Sequence, residues 1–274
     1  MIVRELSNGR LLCIRQTTHA LVSQTFCRHW GNNHGGNHEG NVTFARPRPL
    51  DVVLMAIGQH DNGWTEWEAA PEVRADGYPM DFLAGPSVPV KLALWQRGID
   101  RASAQHPYAG LLIGEHAAAL YANDLPRLTG SDKTQVEAFL AAQTARVEQV
   151  RRDFAASPSW EKALEPARLR ANMRLLQFGD AISLRLCVPW AEDGVMENCP
   201  VDGAEEYTAL RVRTHKGVVT FDPWPFGVDS FAVEVHGYVL TRCTFADHDD
   251  YRAALAAAPV EHLQWNVVRT GGSD

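Results

Sequence analysis

Between residues 17 and 187 the apolar residues recur at helical spacing, and four of the helices so implied carry a polar residue inside the apolar stripe. A stripe of this kind faces a packed interior. The chain is therefore constrained to a helical body that buries imidazoles and carboxylates together, an arrangement costly unless those groups are paired, protonated or bound to a cation. The clearest case is the segment 166–187. Leu169, Met173, Leu176, Leu184 and Cys187 follow one another at spacings of 4, 3, 8 and 3, and Asp180 fills the long gap. In the segment 18–30, His19, Val22, Phe26 and His29 share a face. After Pro49, a run of Leu50, Val53, Leu54 and Ile57 ends in His60-Asp61, and in the segment 108–121 Ala109, Leu112 and Ile113 lead to His116 and Leu120. Two further helices are expected over 88–105 and 133–155, with Pro86, Pro107, Pro126 and Pro158 as punctuation.

Strand signals flank this body. Alternating runs over 2–6 and 11–15 enclose Asn8-Gly9, a hairpin signature. Strand-like runs recur over 207–214, 218–221, 231–236, 238–243 and 262–268, with Lys216-Gly217 as one turn and a helical piece over 251–258. Residues 189–206, rich in Pro, Gly and acidic side chains, read as a linker or long loop. The expectation is a mainly α protein, α+β overall. A helical domain over 1–188 would include the N-terminal hairpin, and a smaller antiparallel β annex over 189–274 would pack on it.

Composition narrows the partners. A formal charge of −7, from 26 basic and 33 acidic residues among 274, argues against nucleic acid or an anionic membrane and leaves a small molecule as the expected partner. Five scattered cysteines at 13, 27, 187, 199 and 243, together with an opening lacking an apolar signal-peptide core, point to a cytoplasmic protein with reduced thiols.

Any one of the buried polar residues has an ordinary explanation. A histidine on an apolar face is commonly a hydrogen-bonded core residue, and Asp180 has arginines such as Arg174 to pair with. The combination is what matters. Imidazoles and carboxylates brought from separate helices of a bundle are the donor set for a divalent transition ion such as Fe, Mn, Zn, Co or Ni. The candidate metal ligands are His19, His60, Asp61, His116 and Asp180, with Asp61 and His116 also the candidate catalytic residues. Other histidines have weaker cases. His34 and His38 belong to a polar loop that could also serve as a lid, and His106 precedes Pro107, where a protonated ring would suit a helix C-terminus. Trp64 and Trp67 suit core packing as well as a pocket wall, and Glu66 and Glu68 are expected to be solvated.

The order His19 … His60-Asp61 … Asp180 resembles the HD-domain superfamily of metal-dependent phosphohydrolases, whose adjacent His-Asp doublet sits between an upstream His and a distant Asp, all on helices. The stretch His60-Asp61-Asn62-Gly63-Trp64, with His29-Trp30-Gly31 and Asp222-Pro223-Trp224-Pro225-Phe226, is similar to an uncharacterised bacterial family with an HD-like core. The doublet here is followed by Asn-Gly-Trp, unlike ordinary HD phosphohydrolases.

The resemblance implies an HD-like helical bundle and a metal-dependent hydrolase of a phosphate ester or similar small polar substrate. The nucleophile would be a metal-activated water, oriented by Asp61. His116 would be either a fifth ligand or the acid for the leaving group. The alternatives are a di-iron oxygenase on the same scaffold, for which the interval between doublet and last Asp offers only His106 and His116, and a non-catalytic ligand-binding protein.

Overall fold

The structure is a computed structural model, and it describes residues 1–31, 42–188 and 193–270. The opening hairpin forms as its sequence predicts. Strands β1 (Ile2–Leu6) and β2 (Arg10–Ile14) pair antiparallel, with Asn8 and Gly9 both at positive φ in the turn. The helices follow the apolar periodicity closely: α1 (Gln16–His29), α2 (Leu50–Gln59), α4 (Val88–Gln105), α5 (Pro107–Asp124), α6 (Gly130–Asp153) and α8 (Pro166–Cys187). Two short helices, α3 (Thr65–Ala69) and α7 (Pro158–Ala163), complete the body. No side chain caps the start of α1, where Arg15 occupies the cap position.

The expected small β annex is not what the chain builds. About 53% of it is helical and 22% is strand, and the strands form one curled, mixed sheet of seven, a major element of an α+β fold. Beyond the hairpin these are β3 (Gly194–Pro200), β4 (Tyr207–His215), β5 (Val218–Asp222), β6 (Ser230–Leu240) and β7 (Val260–Val268), in the order β1-β2-β6-β7-β5-β4-β3. Nor is the sheet wholly antiparallel, because β7 runs parallel to β5 after the chain returns through α9 (His248–Ala257). The N-terminal hairpin joins the sheet through β2–β6 pairing, Leu12 opposite Val239. One feature enlarges the sheet beyond the sequence reading: the expected loop over 189–206 contains β3. Residues 189–192 and the loop with His34 and His38 lie outside the described residues.

Helix α1 packs against β6 on one side and α2 and α8 on another, so it is the link between sheet and helices. Aromatic residues fill that junction: Phe26 of α1 lies 6.1 Å from Phe221 and from Phe226, and Trp30 lies 4.6 Å from Phe178 of α8. The Asp-Pro-Trp-Pro-Phe segment thus packs the sheet onto the helices, with Trp224 4.9 Å from Phe226. Helix α5 closes the other end of the body against α2, α4 and α8. Among the described residues no helix is long and apolar enough to cross a membrane.

Candidate metal centre

Four helices deliver the polar residues of the apolar stripes to one place. His19 comes from the second turn of α1, His60 and Asp61 from the end of α2, His116 from the middle of α5 and Asp180 from α8. The three histidines are each 1% exposed and Asp61 is 6% exposed, so solvent does not satisfy them. One ligand atom each from His19, His60 and Asp180 lies within 4.8 Å of the others, a buried group that can hold a metal ion. Asp61 Oδ2 is 2.7 Å from His19 Nε2 and 3.5 Å from His60 Nε2, and His116 Nε2 is 3.5 Å from Asp180 Oδ2. All five candidate ligands therefore converge.

The hydrogen bonds behind the rings decide which nitrogens face the centre. His60 Nδ1 lies 2.7 Å from the carbonyl oxygen of Ile57. A carbonyl only accepts, so Nδ1 carries the hydrogen and Nε2 is turned inward. At His19, Ser183 Oγ donates to the carbonyl of Asp180 at 2.9 Å, which leaves it to accept from His19 Nδ1 at 2.7 Å. Ser23 Oγ, 2.8 Å from Ser183, extends the chain. Both rings thus anchor Nδ1–H on an oxygen and direct Nε2 at the carboxylates, the orientation by which outer partners fix metal-binding imidazoles.

Several of these inward atoms have no hydrogen-bond partner among the described residues: His60 Nε2 and both ring nitrogens of His116. The 3.6 Å from His60 Nε2 to Asp180 Oδ1 is a charge contact, too long for a hydrogen bond. A buried polar atom left unpaired costs about 1–3 kcal/mol. A cation at the centre would take up one lone pair from each ring, so the residues fit a metal.

Electrostatics agree with that geometry. Burial would lower the His60 pKa, but Asp61 and Asp180 outweigh it and hold the ring's pKa up at about 9. Burial pushes His116 down to about 4, against a smaller opposing pull from Asp180. Both carboxylates, which burial alone would raise, are held below their ordinary range: Asp61 chiefly by His60 and His19, Asp180 chiefly by His60.

The remaining candidates lie elsewhere. His29 stacks on Phe231 at 4.2 Å. His106 does not favour a helix end as a cation; its Nδ1 accepts the Tyr108 N–H at 3.1 Å and so caps α5, and burial lowers its pKa. Glu66 is exposed and paired with Arg97 and Arg101, whereas Glu68, expected in solvent, is 2% exposed and accepts the Gln16 N–H at 2.9 Å.

The centre forms the floor of a cavity of about 510 Å³ walled by Trp64, Phe82, Trp95, Leu128 and Leu184 and reached by the cations Lys91 and Arg127. None of the arginines on α6 and α8 lines it. The sequence reading missed Ser23, Ser183 and Lys91; a hydroxyl or a lysine on a helix gives no periodic signal of what it will touch.

No curated protein and no solved structure matches the chain. Residues 1–242 match the model of one family, described as Protein of unknown function (DUF3891).

Proposed function

The chain belongs to that family, whose description assigns no reaction, so from the chemistry of the centre we propose that it is a metal-dependent hydrolase of phosphate esters or comparable small esters. The observation that carries the reading is a convergent His-His-Asp group, joined by Asp61 and His116, at the floor of a cavity. A structural metal site is closed by protein ligands, while a catalytic one keeps a position for substrate. Imidazole and carboxylate donors suit Fe, Mn, Zn, Co or Ni. When bound, the ion supplies Lewis acidity and lowers the pKa of a water toward neutrality.

The chain's own residues do the rest. His19 and His60 present Nε2, fixed by Ser183 and the Ile57 carbonyl. Asp61 uses Oδ2 on His19 and has Oδ1 for orienting the attacking water. His116, neutral and without a hydrogen-bond partner among the described residues, serves as a further ligand. Trp64, Trp95 and Leu184 exclude bulk water from the reacting group. The order of ligands along the chain supports an HD-type arrangement. A di-iron oxygenase draws no support from His106, which is engaged in capping α5.

The test is elemental analysis of protein purified without chelators, with a screen of phosphate esters. About one equivalent of metal per chain is expected. His60→Ala and Asp180→Ala are expected to lose both metal and metal-dependent turnover while far-UV circular dichroism stays native. Near two irons per chain, with turnover that stops without dioxygen, replaces the hydrolase by the oxygenase. Absence of metal, with no thermal stabilisation by any added ion, removes the centre.

A further inference from the structure

The cavity above the centre is larger and more apolar than a phosphoryl group needs. Its volume of about 510 Å³ lies within the range of small-molecule pockets, roughly 300–1,000 Å³. Inorganic phosphate or a methyl ester would leave most of it empty. At its mouth Leu83 is 60% exposed and Leu120 40% exposed, so the apolar lining continues outward. Apolar side chains left open beside a pocket mark a surface that a ligand covers.

Within this lining stands one unpaired cation. Lys91 is half-buried on α4 and lines the cavity. Among the described residues its ammonium makes no hydrogen bond or salt bridge; Asp81 and Asp124 act on it only at longer range, and burial lowers its pKa. A partly desolvated ammonium without a partner is costly, and a ligand anion relieves that cost. Its place is defined by the helix. Trp95, four residues on, meets His116 with ring centroids 5.7 Å apart. Lys91 therefore sits one helical turn, about 6 Å along the axis, from the tryptophan that touches the metal-centre histidine.

We propose that the pocket takes an aryl phosphate-type ester carrying a second anionic group: the scissile group at the centre, the ring against Trp64 and Trp95, and the distal anion on Lys91. The scissile group is taken from the hydrolase reading, on which the proposal rests. The ring and the distal anion are read from the cavity alone.

Calorimetric titration of the metal-loaded protein with three non-hydrolysable probes tests this: methylphosphonate, phenylphosphonate and 4-carboxyphenylphosphonate. Phenylphosphonate is expected to bind at least about tenfold more tightly than the methyl probe, from burial of the ring. The carboxylate should add a further threefold to fivefold, roughly what a partly exposed ion pair yields. Lys91→Gln should erase only the carboxylate increment, leaving the phenyl-to-methyl ratio and the metal content unchanged. Equal binding of phenyl and methyl probes overturns the proposal, as does a carboxylate that adds nothing or a Lys91→Gln variant that weakens all three equally. Turnover of phenyl phosphate, measured in parallel, separates the two readings. Hydrolysis without discrimination among the probes sinks this proposal and leaves the hydrolase standing. Ordered binding without hydrolysis removes the hydrolase and its scissile ester, and leaves the ring and distal-anion subsites standing.

Discussion

His60 and His116 have ring centroids 5.6 Å apart, yet the fold treats their charges in opposite ways. His60 Nε2 has two carboxylates within reach, Asp61 at 3.5 Å and Asp180 at 3.6 Å, and they outweigh the cost of burying an imidazolium. His116 has only Asp180, at 3.5 Å, and burial wins. Without a metal His60 thus carries a proton beside the two carboxylates, while His116 keeps its lone pair. A dication replaces that proton and neutralises the carboxylates together. Because His19, His60 and Asp180 form a complete three-ligand group, His116→Ala should retain about one metal per chain. It should lower turnover by about 10- to 100-fold, because a further ligand shapes the ion's reactivity without being needed to retain it. Metal content and steady-state rates measured on the same preparation check this, and loss of the metal would make His116 a principal ligand.

The doublet is aimed by the way its segment meets α4. Gly63, two residues after Asp61, lies so close to that helix that a Cβ there would fall 2.0 Å from the Leu94 carbonyl oxygen and 3.0 Å from the Gly98 nitrogen. Backbone cannot yield as a flexible side chain can. Gly63→Ala is therefore expected to cost about 1–3 kcal/mol and, by shifting Asp61, to weaken metal binding as well. A thermal melt with and without added metal reads both effects, and a melt identical to the parent's would contradict the close packing. At this scale the sequence was legible in proportion to its regularity. The helical stripes predicted α4 and α8 to the residue. Strand β6 was read as two pieces broken near Gly237, but the glycine is there because a Cβ would approach Leu12 and Ile14 to within 2.8 and 2.9 Å. Strand β3 was missed altogether: its register shifts between Met196 and Cys199, and Asn198 has φ 58°, so its side chains do not alternate.

Helices and sheet share a large buried core, with a second, smaller cluster around Met1, Leu11 and Tyr251. The large core runs from Phe26 and Trp30 of the α1 region through Phe178 of α8 to Phe221, Phe226 and Val233 of the sheet. Elements so joined unfold together, and calorimetry should record a single transition rather than separate melting of residues 1–188 and 189–274. Phe226→Ala, which empties the junction between the layers, should lower that one transition by the equivalent of about 3–5 kcal/mol. Saturating metal should raise it, since a ligand held by α1, α2 and α8 binds only the folded chain. Two resolved transitions, with only one responding to metal, would restore the division at residue 188.

What the sequence determined by itself is what depends on neighbours along the chain. Helical periodicity placed the helices, and the polar residues set among their apolar positions allowed His19, His60, Asp61, His116 and Asp180 to be named as one group before any fold was known. The partners of those residues were beyond its reach. That Ser183 and the Ile57 carbonyl hold the rings, that Lys91 faces the same cavity, and that seven strands from both ends of the chain close into one sheet are facts about segments distant in sequence. Strand pairing carries no period across a gap in the chain, and a cavity is the space that packed elements leave unfilled. Only the tertiary structure decides either.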